Sequence, residues 1–369
     1  MEGSAVLAAV EQEVREMVGA CRYERLTSRK DHLNGTYLRR LLTSMGEVEL
    51  AVPRTRHSGA PAEVVGRYKR RTDELDRLVT TAYVQGVSTR DMSRVSQALM
   101  GEGISRSTVS RVTKVLGEQV EQLRRAPIEG PIPYLYLDAT FLDARWARTV
   151  ENVSALVAYG VDGTGHRRLL AVTLGAEESE HSWAELLTQV CERGLSGVQL
   201  VIADDHRGLA NAVRRLLPEA HRQRCTVHLE RNVLIKVPQR LRARLAKQLR
   251  WILDAPAATE ARKRLHDFAQ GLGRQVPEAL RCLEEGFTAA TQFYGFPREH
   301  WARIRSTNGL ERLHGEVKRR TRSIGAFPDR DSALRLVTAV ALETAHVWAD
   351  RRYLDMSLLK TEQPKAVAA

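Results

Sequence analysis

Two carboxylates interrupt or end apolar runs, where a charged group calls for a partner. Asp138 interrupts the aromatic and apolar run from Tyr134 to Phe141, where a charge is costly unless a partner or a metal compensates it. Asp204 follows the run from Val198 to Ala203, at the carboxyl edge of a short strand, the usual place for functional groups in open α/β sheets. Set on adjacent strands, the two would raise each other's pKa by repulsion, and a divalent cation is the simplest means of keeping both ionised. Mg2+ suits them, with Mn2+ as a substitute, because it takes hard oxygen ligands and keeps waters that phosphate oxygens can displace. With a third carboxylate, two metals can activate an attacking oxygen and stabilise a leaving one in phosphoryl transfer. Glu311 and Glu316 compete for that third position. Each acid also has a bland reading. Asp138 could accept backbone hydrogen bonds, Asp204 or Asp205 could cap a helix beginning near His206, and Asn308-x-x-Glu311 has the spacing of a capping box.

Other polar groups lie close to these in sequence. Cys225-x-x-His228 is half of a zinc-site spacing, but no second pair completes it. The two are expected to pack or hydrogen-bond beneath the site, with His206 nearby. On a helix, Glu311, Lys318 and Arg322 share one face at steps of seven and four, so these cations should approach a phosphate beside the metals. Arg319 and Arg320 face elsewhere, either to clamp DNA or as a solvated surface.

The elements that must position these groups can be read from periodicity. Residues 1 to 30 read as helical through Val6, Leu7, Val10, Val14 and Val18. From Gly35 to Arg56 the period changes to that of a small hairpin, either lying on DNA or forming a solvated edge. Residues 74 to 117 read as three short helices, the second capped by Ser88 with Asp91, the third by Ser105 after the turn Gly101-Glu102-Gly103. Burying Val109, Val112, Val115 and Leu116 on the third leaves Arg106, Ser107, Thr108, Arg111 and Lys114 outward, as on the recognition helix of a helix-turn-helix. Spacing alone leaves DNA reading and an ordinary helical packing equally open.

Beyond Pro133 three strands are expected: Tyr134–Phe141, Val153–Val161 and Arg168–Leu174. The turn Asp162-Gly163-Thr164-Gly165 makes the last two antiparallel. A helix capped by Ser182 and Glu185, a strand to Ala203, a helix over Leu209–Leu217 and a strand over Arg222–Val227 follow. That order implies a mixed sheet under helices, as in ribonuclease-H-like cores. Residues 229 to 300 read as an all-α insertion, with Leu245, Leu249, Trp251, Ile252, Phe268 and Phe287 among the positions spaced for burial. Helices resume from Asn308 to about Arg322 and from Ser332 to Ala349, and the tail from Lys360 reads as disordered.

Composition narrows the class. At 369 residues the chain exceeds the roughly 250 to 300 residues at which one core stops growing, so two or three domains are expected. Its 57 Lys and Arg against 45 Asp and Glu leave a charge of +12, which favours a polyanionic partner over a merely soluble basic protein. No apolar run of about 18 residues or signal-like start is seen, and four scattered cysteines fit a reducing compartment, so a cytoplasmic protein is expected.

The blocks Leu137-Asp138-Ala139-Thr140-Phe141, Glu180-His181-Ser182-Trp183, Asp204-Asp205-His206-Arg207-Gly208-Leu209 and Arg224-Cys225-Thr226-Val227-His228 with Arg231-Asn232 carry a resemblance, as does the block from Arg305 to Leu313 continued by Glu316 to Arg322 and Phe327-Pro328. In this order the chain resembles the Mutator-type bacterial insertion-sequence transposases, a DDE group. The resemblance covers about residues 35 to 340. It implies a ribonuclease-H-like catalytic domain in which Asp138, Asp204 and Glu311 bind Mg2+, settles Glu311 over Glu316, and leaves Asp205 as a spacer. His314 departs from it, standing where the family pattern has Asn.

The implied organisation is an N-terminal helix and hairpin (1–73), a helix-turn-helix region (74–125), a first catalytic segment (126–230), an all-α insertion (231–304), C-terminal catalytic helices (305–350) and a flexible tail (351–369). The implied activity is binding of an element's terminal inverted repeats, metal-dependent cleavage and joining to target DNA, through a copy-out route with a circular intermediate. A homodimer or higher oligomer on DNA, close to the bacterial nucleoid and without membrane contact, is expected. The alternatives are a nuclease that cuts without joining and a catalytically silent DNA-binding repressor.

Overall fold

Alternating and helical periodicities resolve into two units in the computed structural model, Met1–Val115 and Leu116–Ala369. Residues 2–21, 24, 26–58, 69–146 and 149–361 are described. In the first unit, helix α1 (Glu2–Val18) turns Val10, Val14 and Val18 inward, as its spacing predicts, but it ends well short of the expected residue 30, where Gly19 takes a left-handed φ of 70°. Strands β1 (Leu33–Thr43) and β2 (Gly46–Thr55) form the expected antiparallel hairpin. Leu41, Leu50 and Val52 from its inner face enclose Val10. Beside the hairpin the buried carboxylate of Asp31 accepts from the backbone N–H groups of His32 (2.6 Å), Ser58 (2.6 Å) and His57 (3.1 Å).

Helices α2 (Asp73–Val84), α3 (Thr89–Met100) and α4 (Arg106–Val112) follow. Ser88 accepts from Asp91 N and donates to its carboxylate, as the capping box requires, and Ser105 accepts from Thr108 N. Gly101 closes α3 at φ 73°, a left-handed cap that glycine adopts without strain. Arg106, Ser107, Arg111 and Lys114 are exposed and Thr108 half-buried. Val115 does not extend the buried stripe: a 3-10 turn over Thr113–Val115 advances the backbone phase and leaves it 50% exposed.

The second unit opens with α5 (Leu116–Arg125) and builds a five-stranded sheet. Its strands are β3 (Tyr134–Trp146), β4 (Thr149–Val161), β5 (Arg167–Gly175), β6 (Leu200–Ala203) and β7 (His221–Arg224), in the spatial order β5-β4-β3-β6-β7. The first three form an antiparallel meander and the last two run parallel to β3. Crossovers through α6 (Glu180–Glu192) and α7 (Arg207–Leu216) put both helices on one face, where Trp183, Leu186, Leu187, Leu209 and Val213 pack on Leu135, Leu137, Val201 and Ala203. The cap of α6 is Ser179, which accepts from Ser182 N. Ser182, expected to be the cap, lies in the first turn, its hydroxyl donating to Glu177 O. The last strand likewise ends at Arg224, not Val227, because Thr226 already opens a helix with its N–H bonded to Arg305 O.

The residues between Thr226 and Ile304 are helical: α8 (Thr226–Ile235), α9 (Gln239–Leu253), α10 (Ala258–Gln270), α11 (Pro277–Ala290) and α12 (Trp301–Ile304). The first four share a core of Leu229, Leu245, Leu249, Ile252, Phe268, Leu283 and Phe287. Trp251 is outside it, 45% exposed, because the buried positions Leu245, Leu249 and Ile252 point α9's opposite side inward. Helices α13 (Asn308–Thr321), α14 (Arg330–Ala349) and α15 (Ser357–Thr361) complete the unit. The tail was expected to be flexible from residue 351 and disordered from Lys360; Leu354, Met356 and Leu359 are instead buried and α15 takes in Lys360, while residues 362–369 lie outside the described ones.

The second face of the sheet carries the polar chemistry. Tyr134 and Tyr136 point there, away from Leu135 and Leu137. Tyr134 Oη lies 2.7 Å from His300 Nδ1, and Tyr136 stacks on Tyr159 at 4.4 Å. Trp348 of α14 packs against Tyr159 at 5.3 Å. Gly309 in the first turn of α13 meets the same tyrosine so closely that an added Cβ would lie 2.5 Å from Tyr159 Oη.

Candidate active site

Strand alternation gives Asp138 the face of Tyr134 and Tyr136. Its neighbour β6 pairs in parallel with Tyr136 opposite Ile202. Two residues further along each strand, that register sets Asp138 beside Asp204, as expected of adjacent strands. Asp204 accepts from Asp205 N at 2.7 Å. Asp205 is held apart, its carboxylate 2.9 Å from Arg222 and 2.7 Å from Arg224, so this acid is already neutralised by two guanidinium groups. Neither acid caps α7, whose N-cap His206 makes no side-chain cap bond.

Helix α13 brings Glu311 to this face. Its backbone is capped from Thr307, with no side-chain cap bond, so the capping-box reading of Asn308 and Glu311 is not realised. Glu316 points away and pairs with Arg319 at 2.8 Å. Glu311 Oε1 lies 3.5 Å from His228 Nε2 and 3.6 Å from Arg231. The other ring nitrogen of His228 is 3.9 Å from Asp204 Oδ1. One turn along α13, His314 Nδ1 is 3.4 Å from Asp138 Oδ2. His228 therefore stands between Asp204 and Glu311, and His314 stands beside Asp138.

Cys225 supports this arrangement from below. Thr307 donates to its sulfur through both N–H and hydroxyl at 3.4 Å. Burial would raise the thiol, but hydrogen bonds from His228 and Thr307 outweigh it and hold Cys225 below its usual value. The bond to Cys225 in turn lifts His228 to about 9 against its burial, with Asp204 and Asp138 assisting. The shift favours the charged imidazole of His228 between two acids, where packing or hydrogen bonding beneath the site was expected.

A fourth carboxylate, Glu178, escaped that reasoning. Its Oε1 accepts from Trp183 Nε1 at 3.2 Å and stands 3.7 Å from His206 Nδ1. Burial pushes its pKa up; His206 and Trp183 oppose the shift and Asp138 and Asp204 add to it. The only prior signal was the Trp183 motif, since a fully buried indole needs an acceptor. His314 was visible only as a departure from the pattern, and Arg231 only as a motif member.

The cations further along α13 divide as the helical face predicts. Lys318 and Arg322 are exposed and, with Phe141 and Phe327, line an open cleft of ≈ 230 Å³. Arg320 is 7% exposed and pairs with Glu343 of α14, so it ties two helices together and is not a solvated cation.

The donor chemistry fits a hard divalent cation: three carboxylates, of which Asp204 and Glu311 are 40% and 33% exposed. Among the described residues no group of three or more His, Cys, Asp or Glu is set closely enough to hold an ion by itself. Mg2+ does not need one, since it is commonly held by one or two carboxylates together with waters and substrate phosphates.

The fold and site define a mixed α/β protein with a half-open carboxylate site and a basic helix leading away from it. The family model described as "Transposase, Mutator family" matches residues 3–351, and the chain belongs to that family. It is 36% identical over 362 residues to the transposase of element ISRM5 of Rhizobium meliloti, covering 97% of this chain and 90% of that one. It is 37% identical over 334 residues to the IS406 transposase of Burkholderia multivorans, covering 90% and 86%. To the IS256 transposase in transposon Tn4001 of Staphylococcus aureus it is 34% identical, covering 94% and 90%. No helix among the described residues is long and apolar enough to cross a membrane.

Proposed function

We propose that the chain is a DDE transposase that cuts DNA at the ends of its element and joins the exposed 3′-hydroxyl to a target phosphodiester. The observation that supports this reading is that His228 stands between Asp204, at the end of β6, and Glu311 of α13, while His314 of the same helix stands beside Asp138 of β3. A ribonuclease-H-like core is the fold we infer, supported by the antiparallel meander extended by two parallel strands.

In this mechanism Asp138, Asp204 and Glu311 hold Mg2+, or Mn2+ in its place. Bound there, the ion would supply charge stabilisation to the phosphodiester and acidify an attacking water or hydroxyl. The chain's own residues position the strand. Lys318 and Arg322 take its phosphates along the face that carries Glu311, and Arg231 adds a cation at Glu311 itself. His206 and Cys225 hold Glu178 and His228 in place. In the N-terminal unit, Arg106, Ser107, Thr108, Arg111 and Lys114 on and just after α4 are the groups we assign to recognition of the terminal inverted repeats, in a helix-turn-helix. Two ends are processed together by at least a dimer.

A strand-transfer assay with pre-cleaved ends and a supercoiled target tests this. Joined products that require Mg2+ are expected; cleavage without joining would reduce the protein to a nuclease, and specific binding without either would leave a repressor.

A further inference from the structure

Helix α9 holds five cations, Arg240, Arg242, Arg244, Lys247 and Arg250, and no acid in fifteen residues. At about 100° per residue, Arg240, Arg244, Lys247 and Trp251 fall within roughly 60° of one another, a stripe about 16 Å long. All four are exposed. Arg240, Arg244 and Lys247 have no ion-pair or hydrogen-bond partner among the described residues. Like charges spaced in this way repel one another, and nothing on the helix offsets them.

The aromatic end of the stripe is built rather than loose. Arg264 lies over the Trp251 ring at 4.5 Å from its centroid, donates to Trp251 O at 2.6 Å and pairs with Glu260 at 3.0 Å. Its stacking fixes the indole while leaving Trp251 45% exposed, so little side-chain entropy remains to be lost on binding. Three residues on, Asp254 pairs with Arg305, which leads into the segment carrying Thr307 and Glu311. The aromatic end thus lies toward the carboxylates and the cations lead away from them.

We infer that this face of the helical insertion binds a single-stranded segment of DNA, with Arg240, Arg244 and Lys247 on successive phosphates and a base stacked on Trp251. Cations that track a backbone beside an exposed aromatic ring are the chemistry of single-strand binding, whereas a base in intact duplex has no free face to offer the indole. The inference rests on the reading of the chain as a DNA-acting protein but not on its carboxylates.

The test uses the full chain in EDTA, where no cutting competes, with a fluorescent oligothymidylate and a duplex of equal length titrated across a range of salt. Combined Arg240→Gln, Arg244→Gln and Lys247→Gln should lower the single-strand salt slope by about 2, at about 0.7 per phosphate contact. Trp251→Ala should weaken single-strand binding about 5- to 150-fold, Trp251→Phe much less, and neither should change duplex binding. Quenching of tryptophan fluorescence by the oligonucleotide should diminish in Trp251→Phe. An unchanged salt slope in the triple variant, or equal loss of single-strand and duplex binding in Trp251→Ala, would overturn the inference. Strand transfer retained in Asp138→Asn, with single-strand binding intact, would count against the catalytic reading alone.

Discussion

At the scale of single residues, the arrangement separates acids that sequence spacing could not. Asp204 and Asp205 are adjacent, yet only Asp205 is neutralised by two arginines, and Glu316 is paired with Arg319 while Glu311 faces His228. Asp138→Asn, Asp204→Asn and Glu311→Gln should each lower metal-dependent DNA cleavage at least about a thousandfold, because several kcal/mol of charge stabilisation would be lost at 1.36 kcal/mol per tenfold. Asp205→Asn should act differently. It strands Arg224, 6% exposed, and should cost about 1–2 kcal/mol in thermal unfolding, between the values for exposed and buried pairs. Equal loss of cleavage and no loss of stability in that variant would reverse the two roles. Asp138 and Asp204 stood out in sequence because one interrupts and the other ends an apolar run, whereas spacing left Glu311 and Glu316 open and only the family resemblance chose Glu311. The imidazoles beside them could not be read in sequence, since the contacts of His228 and His314 join segments far apart in the chain.

At the scale of elements, glycine marks where helices must approach closely. An alanine at Gly309 would ordinarily favour a helix by up to about 1 kcal/mol. Here its Cβ would strike Tyr159 Oη, which Tyr136 and Trp348 hold in place, so Gly309→Ala should destabilise by about 1–3 kcal/mol and impair cleavage by displacing Glu311. Gly208→Ala should behave similarly, its Cβ lying 2.5 Å from Glu180 N at the crossing of α6 and α7. Thermal unfolding with a parallel cleavage assay checks both. In the N-terminal unit, burial would raise the Asp31 carboxyl, but the N–H groups of Ser58, His32 and His57 hold it well below the ordinary range. A depressed carboxylate stabilises the fold above its unfolded pKa, near 4, and that stability is lost as pH falls toward its folded value. Asp31→Asn should therefore unfold at lower temperature than the parent at pH 7, with the gap closing as the pH drops below about 4. Strands and helices were legible where the pattern ran long, as in the meander and the hairpin. Errors fell at the end of α1, Ser182, Val115, Val227 and Trp251, where a left-handed Gly19, a cap three residues upstream, a 3-10 turn, a long-range bond to Arg305 and the choice of buried face decided the outcome.

At the scale of the whole molecule, a mixed sheet gives one face to apolar helices and the other to tyrosines, acids and imidazoles. That division follows from β3, whose alternation sends Leu135 and Leu137 one way and Tyr134, Tyr136 and Asp138 the other. The sheet order could be anticipated from the succession of strands and helices, but the delivery of α13 across 107 residues from Asp204 depends on the packing of the helical insertion, which periodicity does not reveal. The direct measurement is metal-directed cleavage of the chain itself. With Fe2+ in place of Mg2+, and ascorbate and peroxide added, the account predicts backbone cuts clustered near residues 138, 204 and 311, suppressed together by excess Mg2+. Cuts at one of these segments alone, or none that Mg2+ suppresses, would contradict a shared metal site.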